Sequence, residues 1–147
     1  VDIDALIDAL QDACPADDSE AETLPSAEAL PFNETVFAVL RGCVPQVVSV
    51  LVDRFDVYHL STITGQETED GIELLYHFWD GQGLTLRVQL PGDDPVIETL
   101  TDRIPGASFY EREVAEMLGV TFEGHPDPKP LFLSEDWEKG PPLRGDT

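Results

Sequence analysis

The stretch IELLYHFWDGQGLTLRVQL, Ile72 to Leu90, decides the fold. Two runs of aliphatic, aromatic and β-branched residues flank Asp80-Gly81-Gln82-Gly83, a hairpin signal. In the second run Leu84, Leu86, Val88 and Leu90 point one way, while Thr85, Arg87 and Gln89 point the other. One face of the resulting sheet is therefore buried and one is wet. Working outward, VYHLSTIT (57–64) reads as a further strand rich in β-branched and aromatic residues, and GQETEDG (65–71) as a polar turn with glycines at both ends. TVFAVL (35–40) is a short apolar run suited to a buried strand, ended by Arg41-Gly42. Pro45 sits at the first turn of a helix, and Val44, Val47, Val48, Leu51, Val52 and Phe55 mark one face of it.

Beyond PGDDP the pattern turns helical through VIETLTDRI (96–104), with a break at Pro105-Gly106. Ser108 is placed to cap the next helix, with Glu111 three residues on as the capping-box partner. That helix runs to about Leu118, and Gly119 stops it. Its Val114, Met117 and Leu118 are expected to face the core, and Arg112 and Glu116 stand one turn apart, at pairing distance. At the N-terminus Ile3, Leu6, Ile7 and Leu10 recur at helical spacing. CPADDSEAETLPSAEALPFNE (14–34) lacks apolar periodicity and reads as a solvated linker. The expected class is α+β, a small mixed sheet of about four strands covered by helices, with an extended Pro-rich C-terminal tail. The expected units are a helix and acidic linker over 1–34, a core domain over 35–123 and a docking tail over 124–147.

The tail, HPDPKPLFLSEDWEKGPPLRGDT (125–147), holds five prolines and no sustained period. Its backbone polar groups need partners that so irregular a segment cannot supply itself. Yet it carries Leu131, Phe132, Leu133, Trp137 and Leu143. A proline-stiffened, apolar-studded extension of this kind lies along something else.

Thirty Asp and Glu against eight Lys and Arg give a net charge of −22, which argues against nucleic acid as a ligand. Two readings account for the excess: an acidic tail plus an acidic surface, or adaptation to a high-salt cytoplasm. Acids also crowd the folded part, in QETEDG and PGDD, which favours the second. No apolar run approaches the ~20 residues of a membrane span, so membrane contact is expected only through partners. The two cysteines, Cys14 and Cys43, form no CxxC pair, which excludes an iron–sulfur cluster or Cys-rich zinc site within this chain alone. Nothing suggests secretion, so a disulfide between them is not expected. The sequence opens VDIDALIDAL, without a basic signal-peptide start or an initiator Met, and its numbering is expected to begin inside a longer gene product.

The densest chemistry lies in FYEREVAEMLGVTFEGHPD, Phe109 to Asp127. Two of its carboxylates with His125 would make an acid–base set. However, no nucleophile has a base beside it, and there is no glycine-rich phosphate loop and no HExxH spacing. A metal site using His125, Asp127 and Glu113 is weighed against the simpler reading of His-Pro-Asp as a tight turn element. His59 and His77 are read as packed, hydrogen-bonded strand residues, and Tyr76 and Trp79 as sheet-packing residues.

Together these segments resemble the 30 kDa subunit family of respiratory complex I, or NADH–quinone oxidoreductase, and its counterparts in membrane-bound [NiFe] hydrogenases. The matching residues are Glu111, Arg112, Glu113, Gly119, Phe122, Gly124, His125, Pro126 and Asp127, then Leu131, Trp137, Pro142, Leu143, Arg144 and Asp146. The resemblance covers about Thr35 to Asp146. Three departures stand out: Glu116-Met117-Leu118-Gly119 in place of the family's Asp-Leu-Phe-Gly or Asp-Met-Phe-Gly, Gly145 in place of Lys, and Pro-Asp-Pro-Lys-Pro after His125. The last leans toward the hydrogenase-like or archaeal branch, as does IPGASFYERE.

The resemblance implies a chain without cofactor or chemistry of its own, sited on the cytoplasmic face of the membrane as a peripheral subunit. Its partners would be the large quinone-site (49 kDa-like) subunit and iron–sulfur subunits. NADH or another reduced donor, quinone and iron–sulfur clusters would belong to those partners. On this reading Arg112 and Glu116 tie the helix, and Glu111 and Glu113 orient Arg112 or a partner's basic residue. His125 and Asp127 fix the turn that launches the tail, which Leu131, Phe132 and Trp137 anchor in partner grooves. A free-standing metal-dependent enzyme and an independent acidic binding module are the readings from other classes.

Overall fold

The structure, a computed structural model, describes residues 3–13, 27–30 and 34–126. A five-stranded mixed sheet has the order β1-β2-β5-β4-β3, built from β1 (Ala27–Leu30), β2 (Glu34–Ala38), β3 (Leu60–Thr68), β4 (Gly71–Trp79) and β5 (Gly83–Pro91). The β4–β5 hairpin pairs antiparallel across the whole of the opening stretch, from Gly71↔Pro91 to Trp79↔Gly83. Next to it β2 runs parallel to β5, while β3 pairs antiparallel with β4. The α+β class and mixed sheet stand as expected. The strand β1 falls inside the segment read as a solvated linker, where pairing with β2 supplies backbone partners that composition does not reveal.

The alternation along β5 turns Leu84, Leu86, Val88 and Leu90 into the core. Register places Phe37, Ile63, Ile72, Leu74, Tyr76 and Phe78 on that same face, all of them buried. Helix α1 (Ile3–Ala13) packs against α2 (Val44–Phe55), and their Leu6, Leu10, Val44, Val47, Val48 and Leu51 join the core cluster. Helix α3 (Ala107–Leu118) lies on β3. The approach there is close: a Cβ on Gly65 would stand 2.6 Å from Leu118 Cδ1. A glycine is what lets α3 lie this low.

Several local expectations change. GQETEDG is mostly strand, because cross-strand pairing to Thr68↔Gly71 leaves only Glu69-Asp70 as the turn. The segment read as helix after PGDDP forms β6 (Val96–Glu98), which pairs parallel with β7 (Thr121–Glu123), and then turns. The pairing joins residues 25 positions apart, which local periodicity cannot register. Ser108 does not cap α3: the N-cap is Gly106, without a side-chain hydrogen bond, and Ser108 lies inside the helix. Gly119 ends α3 in the left-handed region at φ 78°, as expected. His59 is exposed just before β3, and Trp79 is 52% exposed at the end of β4 on the face away from the core. Cys43 is disulfide-bonded, against the expectation drawn from compartment. Cys14, the residue after the end of α1 at Ala13, lies outside the described residues.

Candidate functional site

The motif helix places a carboxylate in the core. The buried residues of α3 are Ala107, Glu111, Val114 and Leu118, the i, i+4, i+7, i+11 stripe of a core-facing helix. Glu111 is 0% exposed. Burying a carboxylate is costly unless its oxygens are satisfied, and here the turn after β6 satisfies them. The Leu100 N–H donates to Oε2 at 2.7 Å, and the Thr101 hydroxyl to Oε1 at 2.9 Å. The Thr99 hydroxyl donates to Oε1 as well. Thus β6's outgoing loop wraps the side chain that α3 presents.

His125 approaches the same carboxylate from β7's outgoing turn. Gly124, at φ 81°, swings the chain round, and His125 N–H donates to the Phe122 carbonyl at 3.3 Å. The His125 Nε2 then lies 3.2 Å from Ser108 Oγ, 3.3 Å from the Ser108 carbonyl and 3.8 Å from Glu111 Oε1. The carbonyl calls for a proton on Nε2, since only an N–H can donate to it. Both side chains are withdrawn from solvent, His125 to 3% and Glu111 to 0%.

Burial pushes the Glu111 carboxyl above the usual range; the Leu100 N–H, the Thr99 and Thr101 hydroxyls and the His125 charge act against that shift without cancelling it. Tyr76, from β4, adds the other side of the cluster. Burial raises its phenol strongly and the Glu111 charge raises it further, while its Oη has no hydrogen-bond partner among the described residues. A cleft of about 230 Å³ opens onto this cluster, lined by Glu111 and His125 together with Arg112 and Ala115 of α3 and Val120 and Phe122 of the β7 segment.

Sequence reasoning brings several of these residues together and misjudges one. Glu111 is a core residue rather than a cap or a surface ligand, because the helix turns it inward with Val114 and Leu118. Arg112, Glu113 and Glu116 stay half-buried on α3, Met117 is half-buried, Phe122 is buried and Pro126 exposed. Asp127, Leu131, Phe132, Trp137, Pro142, Leu143, Arg144 and Asp146 lie outside the described residues. Thr99, Leu100, Thr101 and Ser108 do not stand out in the sequence as site residues. The signal for their role is the Glu111–Val114–Leu118 spacing, which demands buried donors nearby. Among the described residues, no three His, Cys, Asp or Glu side chains converge as a metal site would require. His77 sits on the outer sheet face with its ring nitrogens 3.0 Å from Thr64 Oγ1 and 3.2 Å from Thr85 Oγ1.

Two solved structures share this five-stranded mixed-sheet architecture. The trypsin-resistant fragment of Nqo5 superposes with a TM-score of 0.63 over 74% of this chain and 93% of that one, at 24% identity. A chain of the membrane-bound sulfane sulfur reductase, an archaeal respiratory membrane complex, gives a TM-score of 0.73 over 90% of this chain and 77% of that one, at 19% identity. At these identities the likeness is one of fold.

The chain belongs to the family of the respiratory-chain NADH dehydrogenase 30 Kd subunit, whose model matches residues 37–147. NADH-quinone oxidoreductase subunit 5 of Thermus thermophilus is 46% identical over 67 residues, 46% of this chain and 32% of that protein. An NADH-quinone oxidoreductase subunit of Roseiflexus sp. is 38% identical over 82 residues, 54% of this chain and 47% of that one. An F(420)H(2) dehydrogenase subunit of Methanosarcina mazei is 37% identical over 98 residues, 63% of this chain and 61% of that one. The matches thus span between a third and three-fifths of these relatives' lengths. No described helix is long and apolar enough to cross a membrane.

Proposed function

We propose that this chain is a non-catalytic structural subunit in the peripheral arm of a complex I-like quinone oxidoreductase, and that it clasps the large quinone-site subunit. The observation that carries the reading is the inward turn of the family motif. Glu111 is engaged by Leu100, Thr99, Thr101 and His125 and is wholly withdrawn from solvent, so its carboxyl group serves as an anchor within the fold. What that cluster can do is hold the Gly124-His125-Pro126 turn firmly against α3. Everything beyond Asp127 then leaves from a fixed root, as a docking extension requires.

The electron donor, quinone and iron–sulfur clusters belong to the partner subunits, and the chain meets the membrane through those partners on its cytoplasmic face. The Methanosarcina mazei relative carries F(420)H(2) in its name, so the donor is NADH or another reduced cofactor of that kind. The equivalent subunit of a membrane-bound [NiFe] hydrogenase is the second reading, favoured by Pro-Asp-Pro-Lys-Pro after His125. A pull-down with the tagged full chain from detergent-solubilised native membranes tests both. Recovery of a large subunit lacking nickel-binding cysteine pairs supports the first reading, and one keeping them the second. Recovery of the chain alone would contradict both.

A further inference from the structure

The cleft that opens onto the Glu111–His125 cluster has Arg112 as its one Lys or Arg among the described residues, and Ala115, Val120 and Phe122 give it an apolar side. Arg112 is half-buried there. Its neighbour on the helix, Glu116, follows it by four residues, which is the weaker of the two orders for an ion pair along a helix. A guanidinium with five donors in a fixed fork has capacity for a further carboxylate.

Size and connectivity bound what enters this cleft. At about 230 Å³ it falls short of the roughly 300 Å³ at which small-molecule sites begin, and it suits a short piece of chain. The protein supplies such a piece. His125 lines the cleft, and the sequence continues Pro126-Asp127-Pro128-Lys129-Pro130, Asp127 being the first residue beyond those described. Proline at every second position holds the residue before it extended. An extended course of this kind advances about 3.1 Å per residue. Asp127 therefore falls about 6 Å beyond His125, within reach of an arginine on the same cleft. Leu131 falls about 19 Å beyond His125, outside the cleft. Charge favours the same pairing. With thirty acids against eight Lys and Arg, a carboxylate of this chain meets a cation at few places, and the cleft wall is one of them.

From this juxtaposition we propose that the cleft is the seat of the chain's own Asp127-Pro128 segment, with the Asp127 carboxylate held by the Arg112 guanidinium and Pro128 packed on the side formed by Ala115, Val120 and Phe122. Arg112 and Asp127 are then positioning residues. They add a second fastening to that of His125 and fix the direction in which the extension departs, which lowers the ordering cost of docking. Leu131, Phe132 and Trp137 are left for a partner. The inference deepens the docking reading above, and its test is read in the isolated full chain, where no partner is present.

That test is a double-mutant cycle on the full chain, followed by thermal melting. Arg112→Ala and Asp127→Ala are each expected to lower the Tm by about 3 °C, and the double variant by about 3 °C rather than about 6 °C. The exchanged pair, Arg112→Asp with Asp127→Arg, is expected to recover at least about half of that loss, which loss of a merely structural contact would not allow. Additive losses with no recovery overturn the inference. Methyl NMR of Ala115 and Val120 identifies the occupant: both resonances are expected to move in the isolated Asp127→Ala chain. Resonances that stay in place there and move only when the large subunit binds assign the cleft to a partner segment and overturn the seat. Additive losses with that subunit still recovered in the pull-down overturn this inference alone. Coupled losses with no subunit recovered leave it standing and overturn the docking reading.

Discussion

Glu111 Oε1 lies 3.8 Å from His125 Nε2, both side chains almost wholly removed from solvent, and this pair joins the motif helix to the Gly124-His125-Pro126 turn. Truncation of either member leaves buried polar groups without partners. Glu111→Ala strands the Leu100 N–H and two threonine hydroxyls, and is expected to cost about 3 kcal/mol in urea denaturation. Glu111→Gln keeps an acceptor for Leu100 and is expected to cost less than half of that. Equal losses for the two substitutions would contradict the cluster as drawn.

The same carboxylate makes stability depend on pH. Its folded pKa stands above the unfolded value of about 4.5, so the folded chain holds a proton that the unfolded chain has released. Its contribution is fully present below that value and is lost as pH rises through the folded pKa. Glu111→Gln carries no such proton. The stability of the wild type relative to this variant should therefore fall as pH is raised from about 4 toward neutrality. A constant difference across that range would mean that Glu111 is ionised throughout. Comparing the two chains cancels the relief of self-repulsion among the other acids, which acts in the same direction.

Tyr76 presents the converse case. Its hydroxyl is buried without a partner among the described residues and beside a carboxylate that disfavours its ionised form. Removing it should relieve a desolvation cost. Tyr76→Phe is expected to be neutral or to stabilise by up to about 1 kcal/mol in the same denaturation assay. A destabilisation larger than about 1 kcal/mol would show that the hydroxyl has a partner such as a buried water.

Gly71 is the glycine on which the β3–β4 hairpin depends. Its φ is 144°, and a Cβ there would lie 2.0 Å from the Leu90 carbonyl oxygen and 2.7 Å from Gly92 N. Both obstacles are backbone and neither can yield. Gly71→Ala should cost about 3 kcal/mol or prevent folding. Gly42→Ala, with nothing within 4 Å, should stay within about 0.5 kcal/mol of the wild type. Similar values for the two would contradict the hairpin register.

Much of the fold is legible because the Ile72–Leu90 alternation has a period of two and a hairpin signal at its centre. Strand β6 is not. Val96-Ile97-Glu98 is too short for its own period to speak, and its partner β7 lies 25 residues away. Glu111 is visible as a motif residue yet reads as a surface one, since a carboxylate in an acidic sequence is expected outside. Its place on the stripe with Val114 and Leu118 holds the contrary information. Trp79 misleads for the opposite reason: a large aromatic on a strand is expected inside, yet its outward register on β4 with Glu73, Leu75 and His77 leaves it half exposed.

The high-salt reading of the charge also has a direct consequence. Self-repulsion at −22 is relieved by screening, so the melting temperature should rise markedly with added KCl. Exposed pairs such as Arg103–Asp53, at 2.7 Å with both side chains about half exposed, should contribute little under those conditions. A flat salt response would contradict the adaptation to salt.

The central claim is that the chain works by docking through the extension rooted at Gly124 and His125. The most direct measurement compares the full chain with one ending at Gly124 in pull-downs from native membranes, with the melting temperature of each chain recorded alongside. The account predicts that the large quinone-site subunit is recovered with the full chain and lost with the shortened one, while the shortened chain still melts cooperatively. Equal recovery of that subunit by both chains would contradict it.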